Sequence, residues 1–360
     1  MKAIIRGGNV FIIILVIVKI GNAQNVSTLQ TGKLGAVEKL YYDSLKAMNY
    51  NRILPILGNK VYKKGFDIPY PIGIMINYFY GVQDIIISDI NIGFQGPNGS
   101  VGPIDMSKII KFNKVQAAGQ NINLRADFWV LPFLNVYGMV SYLPNATTTV
   151  ELAEPVNLTS KAKQNGHSYG FGVMAAGGVG PVWIQGDFNL NWSNLELLDN
   201  IVFTKVGGIR VGHTFPIKSK PQKNFGIWVG AMSISLNSET RGKIALSDVL
   251  QDPSQQQVDK IKQSYSGWYT GLNAIQKQVV DNIVQGFQDQ VDKKPLQNTY
   301  VTYEMNKRPA GKWAMLVGAQ YQFNKKWQVR AESNLIGDRF SIMASINYRF
   351  LGLKKKQGKA

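Results

Sequence analysis

The chain has 360 residues, 45% of them hydrophobic, and a formal net charge of +18. That balance excludes a disordered chain. Past the N-terminus no apolar run reaches the roughly 20 residues that a membrane helix needs. Cysteine is absent, which excludes disulfides, thiolate metal sites, cysteine nucleophiles and a lipid anchored on an N-terminal cysteine.

The first segment has Lys2 and Arg6, then the apolar run Val10 to Val18, then Gly21, Asn22 and Ala23. This is the pattern of a secretory signal, and it predicts cleavage after Ala23. An uncleaved N-terminal anchor is the alternative, against which Lys19 interrupts the run. Removing Lys2, Arg6 and Lys19 leaves a charge of about +15. In an exported chain this excess points to anionic lipid headgroups or anionic solutes rather than nucleic acid. The lysines of "GLKKKQGKA" at the end also read as a solubilising tail. Residues 24–66 are expected to form a lead-in on the periplasmic side, helical over Leu40–Met48.

From residue 67 to 350 the dominant signal is alternation, which places apolar and polar side chains on opposite faces of a strand. Weaker strands are predicted at Ile72–Tyr80 and Ile85–Phe94, joined by a turn "GVQD". "NINLRADFWV" sets Ile122, Leu124, Ala126 and Phe128 against Asn123, Arg125 and Asp127. "LNVYGMVSY" sets Leu134, Val136, Val140 and Tyr142 against Asn135, Tyr137 and Ser141. A weaker strand follows at Ser168–Gly177. "VWIQGDFNLNW" then sets Val182, Ile184, Phe188, Leu190 and Trp192 against Gln185, Asp187, Asn189 and Asn191. Val202–Phe215 and Phe225–Leu236 are weaker again. "KWAMLVGAQYQF" and "KWQVRAESNL" restore clear alternation, and "DRFSIMASINYRF" closes the series.

These segments run about 9–12 residues, the length of a tilted bilayer-crossing strand, and aromatics gather at the ends of their apolar faces as lipid–water girdles. Strands in lipid must close on themselves, because an open edge leaves backbone groups unpaired. The expected fold is therefore all-β, a transmembrane antiparallel up-and-down β-barrel. Eleven strands are counted. Bacterial single-chain barrels have even counts, so about twelve are expected, the missing one in "ILPILGNKVYKKGF" or in "TYVTYEM" (299–305). Short connections are assigned to the periplasm and long ones to the outside. The longest, 237–310, carries an amphipathic helical insertion at 246–294. Its apolar residues include Ile261, Tyr265, Trp268, Leu272, Ile283 and Phe287, at helical spacing. Three placements are open: a plug in the lumen, a pack across the mouth, or a helix in the outer leaflet. Gly267, Gly271 and Gly286 allow close packing or a break.

With a signal segment, girdled alternating strands and a last strand ending in Tyr348, Arg349 and Phe350, the chain resembles bacterial outer-membrane β-barrel proteins. "RADFWVLPFLNVYG" is similar to the strand–turn–strand of envelope barrels of transport or porin-like type. The resemblance implies a location in the Gram-negative outer membrane and contact with the bilayer and lipopolysaccharide. It also implies insertion by the barrel-assembly machinery and a role as a channel for small solutes. Ten basic-rich residues, 351–360, follow Phe350, a departure from such barrels.

The inward faces carry the candidate functional residues: Arg125, Asp127, Asp187, Arg210, Arg330, Glu332, Arg339 and Arg349. Charges facing a lumen set selectivity, here for small solutes, anionic ones among them; equally, they fill a narrow barrel as a ladder of ion pairs. No catalytic residue, metal site or cofactor is expected. His167 and His213 sit near predicted strand ends, without a partner pattern for acyl transfer or zinc. An enzyme acting on lipid or lipopolysaccharide and a structural docking barrel are the alternatives to a channel.

Overall fold

The computed structural model describes residues 36–153, 159–179, 181–236, 239–249, 253–294 and 298–355. The expected signal segment 1–23 lies outside these, as does the end of the basic tail. In chain order the helices α1 (Ala36–Ala47) and α2 (Gly58–Lys63) are followed by eight strands. These are β1 (Ile72–Gly96), β2 (Gly99–Asp105), β3 (Phe112–Leu131), β4 (Leu134–Leu152), β5 (Thr159–Val179), β6 (Val182–Leu195), β7 (Val202–Pro216) and β8 (Asn224–Leu236). Then come β9 (Glu239–Ala245), α3 (Leu246–Val249), α4 (Gln255–Gln263), α5 (Tyr265–Trp268) and α6 (Ala274–Val291). The chain ends with β10 (Tyr300–Pro309), β11 (Trp313–Gln322), β12 (Trp327–Ile336) and β13 (Arg339–Phe350).

Ten of these strands close an antiparallel barrel in the order β1-β3-β4-β5-β6-β7-β8-β11-β12-β13. Closure is made by β13 on β1, in register from Ile72 opposite Phe350 to Gln83 opposite Arg339. The count departs from the expected twelve for one reason. "GVQD" is no turn: β1 runs straight through it as a 25-residue strand. Its lower part pairs with β13 and β3, and its upper part with β10 and β2. Fusing the two expected strands makes the count even and removes the need for a missing strand. Of the two segments suggested for it, "ILPILGNKVYKKGF" contains α2, and "TYVTYEM" belongs to β10, outside the barrel.

The outward face is apolar. Ile76, Val140, Phe171, Val229 and Ile346, one from each of five strands, are each more than half exposed. Rings meet in two belts. Toward the long-loop end, Tyr169 stacks on Trp192 at 5.7 Å and Trp192 meets Phe203 at 5.1 Å. Toward the short-turn end, Trp327 meets Tyr348 at 4.7 Å, and Phe215 lies 6.3 Å from Phe225. Phe340 to Phe350 spans about 33 Å of strand. Tilted by about 40°, that is about 25 Å of height, the thickness of a lipid-facing apolar band.

Under the short-turn end, α1 and α2 pack around Tyr42, Leu45, Val61, Tyr62 and Ile68. This base unit is tied to the barrel by Ile56 N–H to Val130 O (2.8 Å) and by the Arg52 guanidinium to Gly352 O (3.1 Å). Above the long-loop end, β2, upper β1, β10 and β9 form a second sheet. A bridge from Leu198 to Gly242 and the bond from Asp199 N–H to Arg241 O (3.0 Å) link its β9 edge to the loop after β6.

The insertion packs on this outer sheet. Its single expected helix is broken. Ser254 caps α4 and Asn273 caps α6, each in a reciprocal capping box with the glutamine three residues on. Between them the chain passes through α5 and a short 3-10 turn (Tyr269–Gly271). A capping residue beside Gly267 and Gly271 ends one helix and starts another, so each helix is shorter than the apolar periodicity suggested. Val258, Ile261, Leu272 and Phe287 share one core with Ile90 of β1, Met106 and Ile110 after β2, and Val301 of β10.

Candidate functional site: the barrel lumen

The eight candidates on the inward face come from five strands, β3, β6, β7, β12 and β13. In each, alternation turns the charged residue inward while its neighbours meet the outside. Seven of the eight join one bonded network.

Its lower part lies on β13, β1, β3 and β4. The Arg349 guanidinium donates to Asp127 Oδ1 at 2.8 Å and to the Tyr70 carbonyl at 2.8 Å. Asp127 and Arg349 stand on either side of Gly73 in the β3–β1–β13 register. A Cβ at Gly73 would lie 2.4 Å from Asp127 Oδ2 and 3.1 Å from Arg349 Nη1, so the pair meets only over a residue without a side chain. Asn135 donates to Asp127 Oδ1 at 2.7 Å and accepts from Arg125 Nη2 at 3.0 Å. The Arg125 guanidinium lies over the Tyr137 ring at 3.5 Å, a cation–π contact.

Tyr137 carries the network past β5, over Gly172, donating to Asn189 Oδ1 at 2.5 Å. Asn189 donates to Asp187 (3.1 Å), and Asp187 accepts from Arg210. Arg210 then grips Glu332 in a two-toothed pair, Nε to Oε2 at 2.7 Å and Nη2 to Oε1 at 2.8 Å. Arg330 Nη2 and Trp228 Nε1 also donate to Glu332 Oε2, at 2.7 and 2.8 Å. Trp228 reaches Glu332 over Gly318 of the intervening β11, where a Cβ would lie 2.3 Å from the indole. Glu332, 8% exposed, thus holds two cations and an indole N–H. Paired, bidentate and fully bonded charges are the form in which buried ions are tolerated.

The eighth candidate, Arg339, is apart from this network, buried higher in the lumen and donating to Met232 O at 3.2 Å. Of the insertion residues, Ile261, Leu272 and Phe287 are buried in the core beside the outer sheet, and Trp268 and Ile283 pack against it. None of these five shares a bond with the lumen network among the described residues. The side chain of Tyr265 lies outside the described ones. His167 packs against Tyr142 and His213 against Phe215, each on the outward face beside a ring belt, at opposite ends of the barrel. The two histidines therefore do not converge on one site.

Below the Arg210–Glu332 pair is a cavity of about 160 Å³. Arg125, Asp127, Arg330 and Arg349 line it from the lumen, and Asp67 and Lys325 line its mouth at the short-turn end. Lys325 Nζ donates to Asp67 Oδ1 at 2.7 Å, and Tyr41 OH to Asp67 Oδ2 at 2.6 Å, which fastens the base unit across part of that mouth. Sequence reasoning placed Asn135, Tyr137 and Asn189 inward without giving them a part in the site. It missed Trp228, Trp129 and the Asp67–Lys325 pair. Trp228 was legible in principle: Phe225, Ile227 and Val229 face outward, so the residue between the last two faces in.

A scan against protein-family models and a search of curated proteins gave no match. Among solved structures, the chain is similar to the outer membrane protein OprG from Pseudomonas aeruginosa, at 9% identity and a TM-score of 0.39, covering 79% of this chain and 100% of that one. It is similar to the β domain of the Bordetella autotransporter BrkA at 10% identity and a TM-score of 0.32, covering 78% and 100%. It is also similar to the Ralstonia pickettii toluene transporter TbuX at 9% identity and a TM-score of 0.28, covering 78% and 90%. The closed barrel itself stands on the strand pairing described above.

Proposed function

We propose that this chain is an exported barrel of the bacterial outer membrane, a channel or transporter for small anionic solutes that is closed at mid-lumen by its own ion pairs. The observation that carries the reading is the solute-sized cavity, part charged and part apolar, inside a lipid-faced barrel. Its lining includes Arg125, Arg330 and Arg349, and Arg330 is bonded to Glu332 of the Arg210–Glu332 pair above it. In this reading the short-turn end and the base unit face the periplasm, the capped end faces outward, and 1–23 is the export signal. The bilayer, lipopolysaccharide and the assembly machinery are the partners of such a barrel. Lumen arginines set the sign of the solute. The ion-pair network is then a gate as well as a filling.

Purified protein in planar bilayers tests this. The wild type is expected to conduct weakly. The double variant Arg210→Ala with Glu332→Ala removes one charge of each sign from the constriction and raises conductance, with anions preferred. Absence of ion or solute flux in the wild type, in the double variant and after deletion of 246–294 defeats the reading. The dense bonding around Glu332, which accepts from Arg210, Arg330 and Trp228, favours a second reading, a docking barrel whose filled lumen is purely structural. Flux in any of the three proteins counts against it.

A further inference from the structure

The lower lumen holds more positive charge than it neutralises. Four guanidiniums of the network, Arg125, Arg210, Arg330 and Arg349, share three carboxylates, Asp127, Asp187 and Glu332. Arg125 is the one left over: among the described residues its bonds are to the neutral Asn135 and to the Tyr137 ring. Burying an uncompensated cation is costly, and a counter-anion offsets that cost. Three of the lumen's unused donors belong to residues that line one cavity. Arg125 Nε, Arg330 Nε and Trp129 Nε1 are buried without a protein partner, Trp129 being only 6% exposed, and all three residues line the same cavity. The rest of that lining includes Met75, Met174 and Trp183, which offer apolar surface.

We propose that this cavity is a binding site for a small organic carboxylate, its charged end on Arg125 and Arg330 and its apolar body against Met75, Met174 and Trp183. The inference deepens the transport reading and rests on it for the ligand's route. A guanidinium fork matches a carboxylate in plane and spacing. The apolar lining separates such a ligand from an inorganic oxyanion, which has no body to place there. The size fits too: a cavity of about 150 Å³ accommodates a ligand as large as benzene.

Calorimetric titration of the full chain in detergent with benzoate, benzamide and inorganic phosphate is the test. Benzoate is expected to bind saturably, and benzamide about tenfold more weakly or worse, since it lacks the charge. Phosphate should also bind more weakly than benzoate. Arg125→Met should weaken benzoate about tenfold. Should that variant fail to fold, Met174→Trp fills the cavity without changing charge and should abolish binding, while Arg241→Met, on the outer sheet, leaves it unchanged. Equal affinity for benzoate and benzamide, phosphate binding as tightly as benzoate, or benzoate binding that survives Met174→Trp would each overturn the assignment. Flux in bilayers without benzoate binding defeats this inference and spares the transport reading. Benzoate binding without flux does the reverse.

Discussion

The lumen and the outer cap have opposite interiors. Inside the barrel most buried residues are polar, among them Asp127, Asn135, Arg210, Glu332 and Asn347 beside a few such as Leu316 and Trp228, while isoleucines, valines and phenylalanines are exposed. In the cap the buried residues are Leu246, Val258, Val284 and Phe287, and the glutamines and lysines of α4 and α6 lie outside. Each region places its apolar atoms where water is excluded: against lipid for the barrel, against each other for the cap. The barrel interior is consequently held by directed bonds, which fail one partner at a time. The cap is held by non-directional packing, which fails by volume.

The sharpest way to break this contrast is to remove one partner from the lumen. Glu332→Ala strands Arg330, leaves Arg210 with Asp187 alone and leaves the Trp228 N–H unpaired. A buried pair broken on one side loses about 3–5 kcal/mol, and the expected readout is a large fall in the urea midpoint of the whole barrel. In the cap, Leu246→Ala leaves a hole under Gly286 and should cost about 3 kcal/mol. Its effect is expected to stay local: faster protease cleavage within 246–294, with the barrel's urea midpoint unmoved. If Leu246→Ala unfolded both regions together, they would be one cooperative unit and the contrast would fail.

The outward face can be tested by giving it the lumen's chemistry. Ile346, near mid-height and half exposed, should lose about 2 kcal/mol as Ile346→Arg in a bilayer. In a soluble protein an exposed isoleucine replaced by arginine is close to neutral. Folding titrations in lipid vesicles decide, and a neutral result would mean that this face does not meet lipid.

Much of the barrel was legible because lipid and lumen impose a period of two on every crossing strand. Counting from Phe340 or Ile122 is enough to place Arg339, Arg349, Arg125 and Asp127 on the inside. Which inward residues meet was not legible. Arg210 on β7 reaches Glu332 on β12 across two other strands, and that depends on closure and on small residues between, which no single strand records. The passage of β1 through "GVQD" was also hidden. A strand that exchanges its partners midway carries no local mark of the exchange, and Gly81 with Asp84 reads as a turn. The insertion misled in the other direction. Its apolar spacing survives the break at Asn273 because both helices face one core, so periodicity alone joined what a capping box separates.

The smallest effect expected is at the base unit, a third environment with an apolar core like the cap and an ionic tie like the lumen. Burial holds the phenols of Tyr41, Tyr50 and Tyr62 well above the ordinary tyrosine value, and at Tyr41 the neighbouring Asp67 carboxylate pushes the same way. The folded unit therefore keeps these protons where the unfolded chain gives them up. Their contribution is fully present below about pH 10, the unfolded value, and is lost as pH rises from there toward the folded values, because the unfolded state then binds fewer protons. Alkali should release α1 and α2 from the barrel before the barrel itself opens. Trp129 fluorescence, reporting on the cavity mouth, should change first, and far-ultraviolet β signal later. Tyr41→Phe removes one of the ionising groups and should move the first transition to higher pH, at the cost of the hydrogen bond to Asp67 near neutrality. A single transition in both signals, or a first transition indifferent to Tyr41→Phe, would show that the base is part of the barrel's own cooperative unit. In that case the Asp67–Lys325 tie, which lies directly across the mouth, is the contact to sever next.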